Sequence, residues 1–203
     1  MKNKKRILCV FTTVFLIITF LVLNKFSFVI NFDHTINNFM IAHQSPAISG
    51  FMLSITKILN PIEAIIIFVI FGLFLLLLNR KYYYRFTIAT ALATLLPFII
   101  KLITQIPRPS LFLEQDFSFP SAHATIATVF LLSSIFFLIP LIKNGFQKNI
   151  FKIITFIIFP LVAFSRIYLS VHWTSDVLAG IGLGFICFTV GEIICCHKKE
   201  NVL

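Results

Sequence analysis

An all-α bundle of six transmembrane helices, with its polar clusters gathered at the extracytoplasmic interface, is the fold this sequence predicts. Three observations carry that reading. The chain of 203 residues is 59% hydrophobic, with 26 Phe and only 12% charged residues, more apolar surface than a water-soluble domain can hide. Its apolar residues fall into six runs long enough to cross a hydrocarbon core. Most of its cations fall at the ends of the chain and in alternate loops, all on one side of such a layout, as the positive-inside rule requires.

The first span is expected over Ile7–Leu23, behind Lys2, Lys4, Lys5 and Arg6. A basic start and an apolar stretch resemble a secretory signal, but the run is long and no small-residue cleavage site follows, which suits an uncleaved anchor. Asn24–Gly50 reads as an outer loop in which Phe32, Ile36, Phe39 and Met40, at helical spacing, form an interfacial helix. Its histidines, His34 and His43, are expected on the wet side and outside the chemistry. The second span is Leu53–Leu78, with Glu63 near the positive end of its helix dipole. Asn79–Arg85 reads as a tight inner loop with three tyrosines at the headgroup level. Spans three and four are Phe86–Ile106 and Ala122–Ile142. A basic inner loop, Lys143–Lys152, turns at Asn144-Gly145. The fifth span, Ile153–Tyr168, is short and carries Pro160; the sixth is Val177–Cys195, with Glu192 near its inner end and within reach of Lys198. No linker or soluble domain is left, so residues 1–203 read as a single membrane-embedded domain.

A net charge of +10 would suggest nucleic acid in a soluble protein, but its distribution excludes that partner here. Twelve cations, at 2, 4, 5, 6, 80, 81, 85, 143, 148, 152, 198 and 199, fall on one side of the six-span layout, which the positive-inside rule makes cytoplasmic. Both termini are then expected to be cytoplasmic. Cys9, Cys187, Cys195 and Cys196 have no metal-ligand spacing and read as thiols; acylation at Cys195 or Cys196 is a minor alternative.

Five cations remain, Lys25, Lys57, Lys101, Arg108 and Arg166, and the last three sit in polar clusters on the outer side. Ionisable groups next to lipid are costly and mark function by default. Lys101 and Arg108 lie seven residues apart, about two helical turns, although Pro107 and Pro109 should put Arg108 on an extended bend folded over the helix end. Taken singly, both cations could serve as interface anchors. In the second cluster, Pro120-Ser121-Ala122-His123, Ser121 suits the N-cap of the fourth span, and His123 lies in the first turn beside any anion bound there; a cap without a ligand is the alternative. In the third, His172 and Asp176 are four apart, so the carboxylate can orient the imidazole as a base or nucleophile, and Arg166 offers a planar fork for phosphate. Asp176 as a plain helix cap is the competing reading, while Tyr168 and Trp173 read as packing. Two histidines and an aspartate could hold a metal, but three converging cations favour a phosphate dianion, so neither a metal nor another cofactor is expected.

Lys101-x6-Arg108-Pro109, Pro120-Ser121-Ala122-His123 and Ser165-Arg166-x5-His172-x3-Asp176 resemble, in order, the three motifs of the type 2 phosphatidic acid phosphatase family, integral membrane lipid phosphatases. The layout covers nearly the whole chain. One departure is Ala122, where the family usually has glycine. The resemblance implies that His172 attacks phosphorus to form a phosphohistidine, Asp176 orients it, and His123 protonates the leaving oxygen and then activates water. Lys101, Arg108, Ser121, Ala122, Ser165 and Arg166 are expected to hold the phosphate oxygens. The implied substrate is a membrane lipid phosphate, with undecaprenyl pyrophosphate and phosphatidylglycerol phosphate ahead of phosphatidic acid and lipid A. Loop Ser110–Phe119, carrying Glu114 and Asp116, is the expected specificity element. A lipid-to-lipid phosphotransferase and a non-catalytic lipid-phosphate binder or transporter are the alternatives. Oligomeric state is not legible, since lipid and partner helices want the same apolar faces.

Overall fold

The computed structural model describes residues 2–110 and 113–197, which form eight α-helices and, among the described residues, no strand. They are α1 (Lys2–Leu23), α2 (Ser27–Ala42), α3 (Pro46–Lys57), α4 (Pro61–Leu78), α5 (Arg80–Thr104), α6 (Ala122–Ser133), α7 (Gly145–Tyr168) and α8 (Thr174–His197). Lys198 and Lys199 lie outside the described residues, as do the side chains of Lys2 and Cys196. Helix α6 continues through a π turn (Ser134–Leu138) and a 3-10 turn (Ile139–Leu141), where Pro140 removes a ladder donor.

Five helices are long and apolar enough to cross a membrane: α1, α5, α6 with its extension, α7 and α8. The expected second span is not one straight helix. It is a pair, α3 and α4, bent by 51°. Pro61 forces Asn60 out of helical geometry (ψ 158), which breaks the run. Two expected inner loops are shorter than predicted. Asn79 accepts a hydrogen bond from the Lys81 amide (3.0 Å), so the three tyrosines ride on α5. Asn144 accepts from the Gln147 amide (3.1 Å), so α7 starts at Gly145 and carries Lys148 and Lys152. In both cases a capping side chain converts turn-like polar sequence into a first helical turn.

Large apolar side chains stand bare along the outside, among them Leu77, Ile103, Phe146 and Ile62, an arrangement stable only in lipid. Inside, Phe86 and Phe130 are fully buried and meet edge-on at 5.3 Å, with Phe68, Phe71 and Phe159 stacked around them to join α4, α5, α6 and α7. Helix α8 runs through the centre, packed on α1, α5 and α6. Its Gly180 and Gly184 permit this: a Cβ at 180 would stand 2.6 Å from the Ser121 carbonyl oxygen, and one at 184 would stand 2.5 Å from the Thr128 Cβ. At the end away from the polar clusters, Glu192 of α8 pairs with Arg85 of α5 (2.9 Å) and with Lys4 of α1. These two cations hold Glu192; Lys198, which the sequence put within its reach, lies outside the described residues. Cys9 and Cys187 are free thiols, one exposed and one buried.

Candidate active site

The third motif is the junction between α7 and α8, and hydrogen bonding dictates its shape. Ser170 adopts the left-handed conformation (φ 54), the Ser170 amide donates to the Ile167 carbonyl (3.0 Å), and the Val171 amide donates to the Arg166 carbonyl (3.2 Å). That pattern is a Schellman ending, here with serine at the position usually held by glycine. The His172 amide shares the same Arg166 carbonyl (3.2 Å). Arg166 and His172 are thereby locked into one turn. The next helix begins at once, with the Trp173 amide donating to Asp176 Oδ2 (2.9 Å), the carboxylate half of a capping box.

Asp176 therefore caps a helix and also faces His172. Its Oδ2 lies 3.4 Å from His172 Nδ1, and both side chains are buried. His172 precedes α8 and Asp176 lies in its first turn, and the turn brings the pair together. On the far side of the ring, Nε2 lies 3.0 Å from an Arg108 Nη1 donor. These partners select the tautomer in which Nδ1–H donates to Asp176 and the Nε2 lone pair points toward the cations. Burial, followed by the charges of Arg108, Arg166 and Lys101, pushes the His172 pKa well below its ordinary 6.5. The ring is therefore held neutral near pH 7.

The second motif opens α6. Ser121 is the N-cap, with its Oγ accepting from the Ala124 amide (3.4 Å), and its own amide donates to the Asp176 carbonyl (3.1 Å). The hydroxyl is fully buried in this cap. His123 follows in the first turn, and its Nε2 is buried with no hydrogen-bond partner.

The first motif leaves α5 through Gln105 in the left-handed conformation (φ 50). The chain then crosses the third motif. Trp173 Nε1 donates to the Pro107 carbonyl (2.9 Å), and Arg108 Nη1 donates to the Val171 carbonyl (2.6 Å). Arg108 and Arg166 are buried, and Lys101 is nearly so. All three meet the acidic loop. Glu114 pairs with Arg108 (2.5 Å) and with Arg166, and Asp116 pairs with Arg108 (2.5 Å) and Lys101 (2.7 Å). Partial burial raises the Asp116 pKa, but the bonds to Lys101 and Arg108 outweigh it and hold the carboxyl below the usual carboxylate range.

The structure thus gathers Lys101, Arg108, Ser121, His123, Arg166, His172 and Asp176. Ser165 is buried beside them, yet its hydroxyl donates to the Val162 carbonyl of its own helix (2.7 Å). Ala122, the first residue of α6, has a negative φ that alanine adopts without strain. Among the described residues no three His, Cys, Asp or Glu side chains gather as a metal-ligand group. What converges is cationic and suits an anion.

Sequence reasoning passed over Asp33. It lies on α2, whose apolar stripe faces outward while Asp33 and Asn37 are buried against the bundle. Asp33 accepts from the Ser175 amide (2.9 Å) and hydroxyl (2.5 Å), one residue from Asp176. Burial, only partly offset by these two bonds, raises its carboxyl above the ordinary range. His34 stacks edge-on against Trp173 at 4.9 Å. The available signal was an aspartate and an asparagine four apart, opposite an apolar face turned to lipid. A cavity of about 400 Å³ is lined by Asp33, His34, Pro107 and Trp173 and by neither His123 nor His172.

Comparisons with known proteins agree with this arrangement. Residues 82–199, which contain all three motifs, match the model of the PAP2 superfamily. Phosphatidylglycerophosphatase B of Bacillus subtilis is 38% identical over 78 residues, and the match spans 37% of that relative's length. The crystal structure of a transmembrane PAP2-type phosphatidylglycerolphosphate phosphatase from Bacillus subtilis superposes with a TM-score of 0.79 at 25% identity, covering 97% of both chains. Aquifex aeolicus LpxE gives a TM-score of 0.56 at 24% identity over 81% of this chain and 94% of its own, a likeness of fold. On the match over more than half its length, and with an all-helical membrane fold to go with it, the chain belongs to the PAP2 superfamily.

Proposed function

We propose that the protein is a lipid phosphatase that hydrolyses a phosphomonoester on a membrane lipid, with phosphatidylglycerol phosphate as the favoured substrate. The observation that carries this is the His172–Asp176 pair, whose Nε2 accepts from the buried Arg108 within a cluster of three cations. His172 Nε2 attacks phosphorus in line with the leaving lipid oxygen, forming a phosphohistidine and breaking the P–O bond. Asp176 holds the Nδ1 proton and stabilises the charge on the ring. His123, whose Nε2 has no partner in the protein, protonates the leaving oxygen and then takes a proton from the water that cleaves the phosphohistidine. Lys101, Arg108 and Arg166 neutralise the non-bridging oxygens. The similarity to Bacillus subtilis phosphatidylglycerol phosphate phosphatases favours that lipid over undecaprenyl pyrophosphate.

The cation distribution supports a site on the outer face with both termini cytoplasmic. The test is phosphate release by purified protein from phosphatidylglycerol phosphate, phosphatidic acid and undecaprenyl pyrophosphate, with chelator present. Expected are turnover of the first, an acid-labile phosphoenzyme in the parent, and loss of both in His172→Ala. Turnover retained by His172→Ala would overturn the reading.

A further inference from the structure

The three cations that should hold substrate phosphate are already occupied. Arg108 has five N–H donors. Its Nε–H is shared by the Asp116 carbonyl and Oδ1 (both 3.0 Å), its Nη1 serves Val171 and His172, and its Nη2 serves Asp116 and Glu114. No donor is left over. Glu114 also spans the two guanidiniums, with Oε2 on Arg108 and Oε1 on Arg166, the bridging geometry of a phosphate's paired oxygens. Asp116 spans Arg108 and Lys101 in the same way. A phosphoryl group can therefore reach Arg108 only by exchange.

Exposure decides which partner gives way. Arg108 and Arg166 side chains are 1% and 2% exposed, whereas Glu114 is 29% and Asp116 58% exposed. The cations are fixed by the fold and the carboxylates ride on the loop. A second feature points to an incoming anion: the buried Arg166 Nε and the His123 Nε2 have no partner while the carboxylates are seated. Charge then separates the two carboxylates. One retained carboxylate and a phosphomonoester near −2 balance three cations. A diphosphate ester brings more charge and a second phosphoryl group, and balances them only when both carboxylates leave.

We propose that Glu114 is a built-in stand-in for the substrate phosphate and is displaced as the phosphoryl group enters. Asp116 stays on Lys101 and Arg108 and favours a phosphomonoester over a diphosphate. The role of Asp116 rests on the lipid phosphatase reading; the occupancy by Glu114 is independent of turnover.

Calorimetry of purified protein in nanodiscs, titrated with inorganic orthophosphate, tests the first part. Glu114→Gln keeps the shape and removes the competing charge, so orthophosphate should bind about tenfold tighter than to the parent. Equal or weaker binding overturns the exchange and makes Glu114 a structural partner of the arginines. The second part is read from kcat/KM. Asp116→Asn should shift the ratio of phosphatidic acid, which carries a phosphomonoester alone, to undecaprenyl pyrophosphate about tenfold toward the diphosphate, and an unchanged ratio overturns it. A parent that binds orthophosphate and gains affinity on Glu114→Gln, yet hydrolyses no lipid phosphate, would refute the phosphatase reading while supporting the exchange.

Discussion

Replacing Asp33 by alanine tests whether the interfacial helix α2 positions the catalytic turn. Asp33 receives the Ser175 amide at 2.9 Å and its hydroxyl at 2.5 Å, and Ser175 precedes the carboxylate that faces His172. A hydrogen bond to a charged group contributes about 1.5–3 kcal/mol. Part of that is offset here, because burying the Asp33 carboxyl is itself costly, as its raised pKa records. A net loss of about 2 kcal/mol is expected, or a fall of roughly 5 °C in melting temperature. The catalytic effect should be larger in proportion. The His172–Asp176 contact is already 3.4 Å, and displacement of a catalytic group by about 1 Å can cost about a hundredfold. We expect kcat to fall ten- to a hundredfold with KM within about twofold, because the phosphate clamp lies on other elements. Asparagine at 33 should restore most of the rate, since its carbonyl can accept from the Ser175 amide and its NH2 can donate to the hydroxyl. The assay is steady-state hydrolysis beside thermal unfolding in detergent. An unchanged kcat in Asp33→Ala, or an asparagine variant as impaired as the alanine, would refute the reasoning.

Three further outcomes are expected. The buried His172 ring stays neutral, whereas an unfolded ring titrates near 6.5, so below that pH the unfolded state binds a proton that the folded state refuses. Stability therefore rises with pH through this window and is lost as pH falls below 6.5, by up to about 1.4 kcal/mol per pH unit; thermal unfolding from pH 7 to 5 should show a shallower slope in His172→Gln than in the parent. Gly184→Val places a Cβ 2.5 Å from Thr128 and should cost about 1–3 kcal/mol through overpacking, seen as a lower melting temperature; parental stability would mean that α8 and α6 can part freely. Ala122→Gly should leave kcat/KM within a few-fold and lower stability by about 0.5–1 kcal/mol, because the position opens a helix with a negative φ that needs no glycine.

The spans were legible wherever apolar length alone decides, as in α1, α6 and α8. Predictions slipped where a single polar side chain does the deciding. Asn79 and Asn144 extended two helices into segments that read as loops, and Pro61 broke a span that hydropathy joins. Fourth-neighbour spacing was enough to pair Asp176 with His172, but not to show that the pair forms across a Schellman ending and a capping box, two local patterns that overlap only when the chain is folded.

The sequence by itself determined the solvent and the fold class and singled out candidate site residues, because lipid punishes every ionisable group and so each one that persists is informative. Lys101, Arg108, His123, Arg166, His172 and Asp176 could be named from that argument and from motif spacing. Tertiary structure alone decided which groups face one another across long sequence separations. It put Asp33 beneath Ser175, brought α8 onto Ser121 through two glycines, and seated Glu114 and Asp116 on the cations meant for phosphate. The physical reason is that burial makes a buried charge find a partner without specifying which, and that choice belongs to the packing of the helices.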